Sequence, residues 1–229
     1  EIAQCLVGSE MCIRDRFSKE ELGNICKIGG PTAIQGMVYC MISMVLTRMV
    51  AAFGAEAIAT QRVGGQIESV SWNTADGFAA ALNAFVGQNY GAKKMDRVQK
   101  GYRISFWTVA IWGALIMLAF IIFPGPIAGV FFHEEKAMEI AISYLIIIGF
   151  SEAFMCVELM TIGALSGLGK TKLCSVISIT ATSMRIPLAM VLSRTSLGLD
   201  GIWWALTLTS VAKGIIFYLT FRYQMREKC

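Results

Sequence analysis

The 229-residue sequence has one histidine, four prolines and seven cysteines, none of them in a C-x-x-C pair. With His133 as the sole imidazole and the thiols at Cys5, Cys12, Cys26, Cys40, Cys156, Cys174 and Cys229 scattered singly, the pattern argues against a metal centre or a disulfide framework. Charge is also scarce. Charged residues are 16% of the chain against 55% hydrophobic, and mean hydropathy is +0.60. A water-facing surface needs roughly 25–35% charged residues, so this composition excludes an ordinary soluble domain. The net charge of +4 is no argument for nucleic acid, because the bases sit in short cuts between apolar runs, where anionic headgroups are their natural partners. No nucleophile–base pair stands out, so no cofactor-dependent or hydrolytic enzyme is expected.

What the chain does have is length of apolar sequence. Six stretches, at about 29–52, 57–86, 104–123, 138–165, 173–192 and 201–221, each reach the roughly 20 residues that a helix needs to cross a bilayer. The expected fold is an all-α membrane protein with six transmembrane helices. Before the first run, and after the second, fourth and sixth, lie twelve bases: Lys19, Lys27, Lys93, Lys94, Arg97, Lys100, Arg103, Lys170, Lys172, Arg222, Arg226 and Lys228. At the other cuts only three are assigned, Arg62, Lys136 and Arg194. The positive-inside rule then predicts a multi-pass protein of the cell (inner) membrane with both ends cytoplasmic.

Residues 1–16 are set apart from 17–229. The run CLVGSEMCIRDR, Cys5–Arg16, has no helical period and resembles translated sequencing adapter, so it is expected to be non-native. Together with the missing initiator Met, it sets the expectation that this is a fragment. Ser18–Leu22 predicts a short surface helix, and Pro31 is expected in the first turns of the first crossing, where a lost N–H costs least. Ile127–Phe132 is read as an interfacial half-turn, and His133-Glu134-Glu135 as solvated loop charge. Gly163–Thr171, GALSGLGKT, falls one residue out of register for a phosphate-binding loop and follows a helix rather than a strand. It is read as a tight glycine turn.

Ionisable residues inside apolar runs are the candidate functional groups, since a charge in hydrocarbon costs roughly 2.5–3.5 kcal/mol and persists only with a partner or beside a wet cavity. Glu68, Asp76, Glu152 and Glu158 are candidates for a cation-coupling site, and Trp72 offers an aromatic surface to an organic cation. Arg48, Arg185 and Lys213 are candidates for structural ion pairs. Glu68 leads, with Gly64 and Gly65 one turn before it and Ser71 one turn after.

Five segments in order carry a resemblance to a known family. They are Ala52–Ala59 (AFGAEAIA) with Gln66–Ser69 (QIES), Val86–Ala92 (VGQNYGA), Gly163–Thr171, Arg185-Ile186-Pro187, and Gly201–Ala205 (GIWWA). Over about 17–228 the sequence resembles the C-terminal half of the MATE family of multidrug and toxic compound extrusion transporters. The resemblance implies one lobe of a twelve-helix transporter, with a missing N-terminal six-helix lobe as partner. It further implies a cation-coupled antiporter, driven by Na⁺ or H⁺ and needing no other cofactor, that exports small organic cations by alternating access. Glu68 matches the acidic position of the Ile-Glu-Ser segment. Some family members carry an acid midway along the first helix of this lobe; here Gln35, Tyr39 and Ser43 occupy that stretch instead. The alternative within the superfamily is a lipid-linked oligosaccharide flippase, which would need a cationic groove.

Overall fold

The computed structural model of the protein describes residues 19–226. The segment 1–16 lies outside them, as does the start of the surface helix expected at Ser18. Among the described residues the chain forms eight helices: α1 (Lys19–Ala51), α2 (Ala55–Gly91), α3 (Met95–Ile122), α4 (Pro124–Phe131), α5 (Glu135–Gly167), α6 (Thr171–Ser183), α7 (Arg185–Ser193) and α8 (Leu199–Arg226).

Five segments are long and apolar enough to cross a membrane: Gly29–Ala51, Met95–Ile122, Glu135–Gly167, Thr171–Ser193 and Leu199–Arg226. The sixth expected stretch, 57–86, lies in α2, a helix of 37 residues that falls outside that class. Its two sides differ too much for an average to describe it. Ala57, Thr60, Gly64, Ser71, Ala75, Ala79, Leu82, Val86 and Asn89 recur at helical spacing on a buried side. Gln66, Asn73, Asp76 and Asn83 lie exposed.

Elsewhere the helices overshoot their apolar runs. α3 begins at Met95 rather than near 104, and α8 continues to Arg226 rather than 221. Hydropathy marks only the part of a helix that meets hydrocarbon, whereas backbone hydrogen bonding carries on through the basic turns. Arg97, Lys100 and Arg103, expected in a loop, therefore stand on α3, and Arg62, expected at an external cut, lies exposed on α2. Three local expectations are corrected in the same way. The surface helix and first crossing are one helix, so Pro31 falls in its interior and leaves the Lys27 carbonyl without its usual donor. Residues 124–131 form a complete short helix opened by Pro124 and Pro126. The fifth crossing is two helices that part at Met184, where Pro187 cannot supply an N–H to the Ser183 carbonyl.

α5 is the central post, packed against α2, α3, α4 and α8. Small residues make this possible in lipid, where close backbone approach replaces the hydrophobic effect as the source of association. A Cβ on Gly163 would stand 2.3 Å from the Ala79 carbonyl oxygen, and one on Gly167 2.6 Å from that of Asn83. The Gly163–Thr171 segment is thus mainly a Gly-x-x-x-Gly helix contact with α2, and only its last glycine, Gly169 with φ +75°, forms the expected turn. Gly113 of α3 and Gly214 of α8 give α5 the same close approach on its other sides, against Ala153 and Phe154.

Candidate functional site

The site grows from the α2–α5 contact. Gly64 presents bare backbone to α5, and the Tyr144 ring fills that space: a Cβ there would lie 2.2 Å from the ring. Trp203 of α8 closes on the other side of the ring, edge to face with centroids 5.0 Å apart. So placed, the Tyr144 hydroxyl donates a hydrogen bond to Oε1 of Glu68, one turn along α2 from Gly64. Glu68 itself is half-buried.

Glu152 lies two turns beyond Tyr144 on α5, 0% exposed, and neither of its carboxyl oxygens has a hydrogen-bond partner. Ser71 of α2 is the hydroxyl beside it, and Ser71 lies 3.3 Å from Sγ of Cys156. Glu152 and Glu68 are near enough to interact electrostatically, and Arg185 acts on Glu68 from α7. The break at Met184 lets that guanidinium turn inward, where Nε donates to Oγ1 of Thr209 at 3.0 Å and Nη2 to Oγ of Ser210 at 2.8 Å. Glu68 stands 13 residues into α2 and Glu152 17 residues into α5, or about 20 and 26 Å along their axes at 1.5 Å per residue. Both lie well inside the helices.

The remaining candidates divide. Glu158 accepts a 2.8 Å hydrogen bond from Nζ of Lys213, both groups buried; among the described residues this is the one ion pair. A residue expected among the cation-coupling candidates, Glu158, and one expected among the ion-pair candidates, Lys213, are thus each other's partners. Arg185 is buried but bound to hydroxyls, and Arg48 is exposed; neither makes an ion pair among the described residues. Asp76 and Trp72 are exposed on α2, with Trp72 one turn along the helix from Glu68. Sequence reasoning missed Tyr144, Thr209 and Ser210. The available signal for Tyr144 was Gly64, a helix glycine that has to be facing something large.

Chemically, the cluster is two carboxyls, one phenol and one guanidinium held by neutral hydroxyls. If both carboxyls ionise, a single negative charge is left over in a region of low dielectric, an arrangement that a proton or a monovalent cation completes.

Comparison with known proteins places this geometry in context. Residues 31–191 match the family profile MatE. The chain is 28% identical over 211 residues to "Probable multidrug resistance protein NorM" of Thermotoga maritima, covering 88% of this chain and 45% of that protein. It is 24% identical over 215 residues to "Probable multidrug resistance protein YoeA" of Bacillus subtilis, covering 93% and 46%. Its fold is similar to the Vibrio cholerae MATE transporter VcmN in the bent form, with a TM-score of 0.84 at 21% identity over 94% of this chain and 49% of that one. An equal TM-score, at 20% identity over 93% and 48%, relates it to a MOP superfamily transporter from Pyrococcus furiosus described by the reverse polarity of its binding pocket. The chain spans about half the length of the curated relatives it matches.

Proposed function

We propose, on the premise that this chain belongs to the MatE family, that it is one six-crossing lobe of a twelve-helix antiporter exchanging organic cations for Na⁺ or H⁺. The chain is a multi-pass membrane protein of a transporter family, not an enzyme. On this reading α2 makes the sixth crossing. At 37 residues it is about 55 Å long, more than the hydrocarbon thickness requires, and its exposed polar residues face a cavity shared with a second lobe. Both ends lie in the cytoplasm and the membrane is the inner one, as the distribution of bases favours.

The observation that carries the reading is the Glu68–Glu152 pair, above all the unpartnered carboxyl of Glu152. A carboxylate buried with no base to pair it and only the Ser71 hydroxyl beside it is too costly to keep empty-handed, so it gains a proton or a cation and loses it again as the lobe rocks between its two faces. Organic cations suit the same surplus of acid, with Trp72 and Asp76 on the exposed side of α2. A flippase for lipid-linked sugars would need free bases in the groove. The two buried bases among the described residues are engaged, Lys213 with Glu158 and Arg185 with Thr209 and Ser210.

The test is efflux by the full-length transporter in proteoliposomes under an imposed Na⁺ or pH gradient. Gln keeps the shape of Glu but not its charge, so Glu68→Gln and Glu152→Gln should each insert normally and lose gradient-driven efflux. Glu134→Gln, in the outer turn, should transport as wild type. Wild-type efflux from both cluster variants at normal expression would sink the proposal.

A further inference from the structure

We propose that the groove between the first turns of α3 and the last turns of α8 binds an anionic phospholipid. Its headgroup phosphate is held by Lys100, Arg103, Arg222 and Arg226, and its acyl chains lie along the apolar faces that continue from the groove. The inference rests on the chain being a membrane protein and is independent of what is transported.

The groove, of about 840 Å³, is lined by the Tyr102 and Phe221 rings, which also belong to the buried core. Its floor is aromatic and rigid. Tyr102 stacks on Phe221 with centroids 3.7 Å apart, Phe106 lies 5.2 Å from Tyr218, and the Tyr102 hydroxyl is 2.9 Å from Oγ1 of Thr161 on α5. Its rim carries the four bases against one acid, Asp96. All four bases are exposed, and none belongs to an ion pair among the described residues. Arg222 is poised over the Tyr218 ring, 5.9 Å from its centroid, with Nη1 3.5 Å from the phenol oxygen. Guanidinium groups so presented suit bidentate contact with phosphate oxygens.

What selects a lipid over a soluble anion is the surface next to the bases. Trp107 (61% exposed), Ile104, Ile111 and Leu115 line the outer side of α3, and Ile215 and Leu219 that of α8. Phosphate charge and hydrocarbon therefore find complementary surfaces in one continuous strip, with a tryptophan at their junction, as at a membrane interface.

Trp107 reports occupancy. The full-length protein is reconstituted into phosphatidylcholine vesicles containing brominated-chain phosphatidylglycerol or, at equal mole fraction, brominated-chain phosphatidylcholine, and Trp107→Phe supplies the background from other tryptophans. The Trp107 signal should be quenched preferentially by the brominated phosphatidylglycerol. Arg103→Gln combined with Arg222→Gln should lower that preference by about tenfold to thirtyfold, at roughly a factor of five per base. Where that pair does not reach the membrane, Lys100→Gln with Arg226→Gln, further out on the rim, makes the same comparison. Excess inorganic phosphate should leave the quenching unchanged. Equal quenching by the two lipids, a preference that survives both pairs of substitutions, or competition by inorganic phosphate would each overturn the proposal.

Discussion

The buried ionisable side chains of this bundle are of two kinds, and the difference is one of partners rather than depth. Glu158 and Lys213 meet at 2.8 Å and satisfy each other's charge, while Glu152, just as buried, has no opposite charge paired with it and only the Ser71 hydroxyl beside it. Removing one member of a buried pair strands the other and costs about 3–5 kcal/mol, whereas replacing both with apolar groups of similar volume can cost little. Lys213→Ala should therefore lower the melting temperature of the purified protein sharply, and Glu158→Leu with Lys213→Met should restore most of the loss. Glu152→Leu, which discards an unpaired polar group, should leave melting unchanged or raised, and if it melts as low as Lys213→Ala then Glu152 has a partner after all. Tyr144→Phe separates packing from hydrogen bonding. The ring still fills the space at Gly64, so melting should hold while the cation dependence of efflux shifts. At this scale the sequence was half legible. A carboxylate within an apolar run announces its own cost, so Glu68 and Glu152 stood out. Its neighbours did not, because Tyr144 is 76 positions from Glu68 and a tyrosine in an apolar run reads as filler. Arg48 was misjudged as an ion-pair partner because it lies exposed near the end of α1.

Between elements, glycine positions decide how closely the helices approach. Gly163 faces the backbone of α2, where no side chain can move aside, while Gly65 has nothing within 4 Å of where its Cβ would be. Gly163→Ala should destabilise the protein by about 1–3 kcal/mol, the usual cost of overpacking. Gly65→Ala should be neutral or stabilising by up to about 1 kcal/mol through helix propensity. Thermal melting in detergent distinguishes the two, and equal effects would mean that α2 and α5 are not held at the separation seen here. Helix existence was readable from the six apolar runs; helix ends and the break at Met184 were not. The ends lie in polar sequence that hydropathy discounts. The break follows from Pro187, four residues past the last carbonyl it fails to satisfy. The Gly-x-x-x-Gly contact was visible as residues but was taken for a turn, since its purpose appears only when Ala79 and Asn83 are opposite it.

For the whole molecule the placement of α2 rests on its connections rather than on its composition. Composition alone leaves it out of the five apolar crossings, yet it connects α1 to α3, and its two ends differ in charge. At one end, Gly54 turns the chain with φ +115° between Phe53 and Ala55; at the other, Lys93 and Lys94 lead into Arg97 and Lys100 on α3. Arg62 stands exposed on α2 just as Arg97, Lys100 and Arg103 stand on α3 and Lys136 on α5, so the excess of bases on one side of the bundle is kept. A bilayer with bases inside then requires α2 to span, with its polar side turned to protein or water rather than to lipid. Reporter fusions after Gly54, Glu135 and Leu199 should accordingly report the outside, and those after Lys94, Lys172 and Arg226 the cytoplasm. The pair at Gly54 and Lys94 decides the matter, because they bracket α2 and nothing else. If both report the same side, α2 lies in the interface or within the bundle, the count of crossings falls to five, and Glu68 can no longer face a cavity reached alternately from the two sides of the membrane.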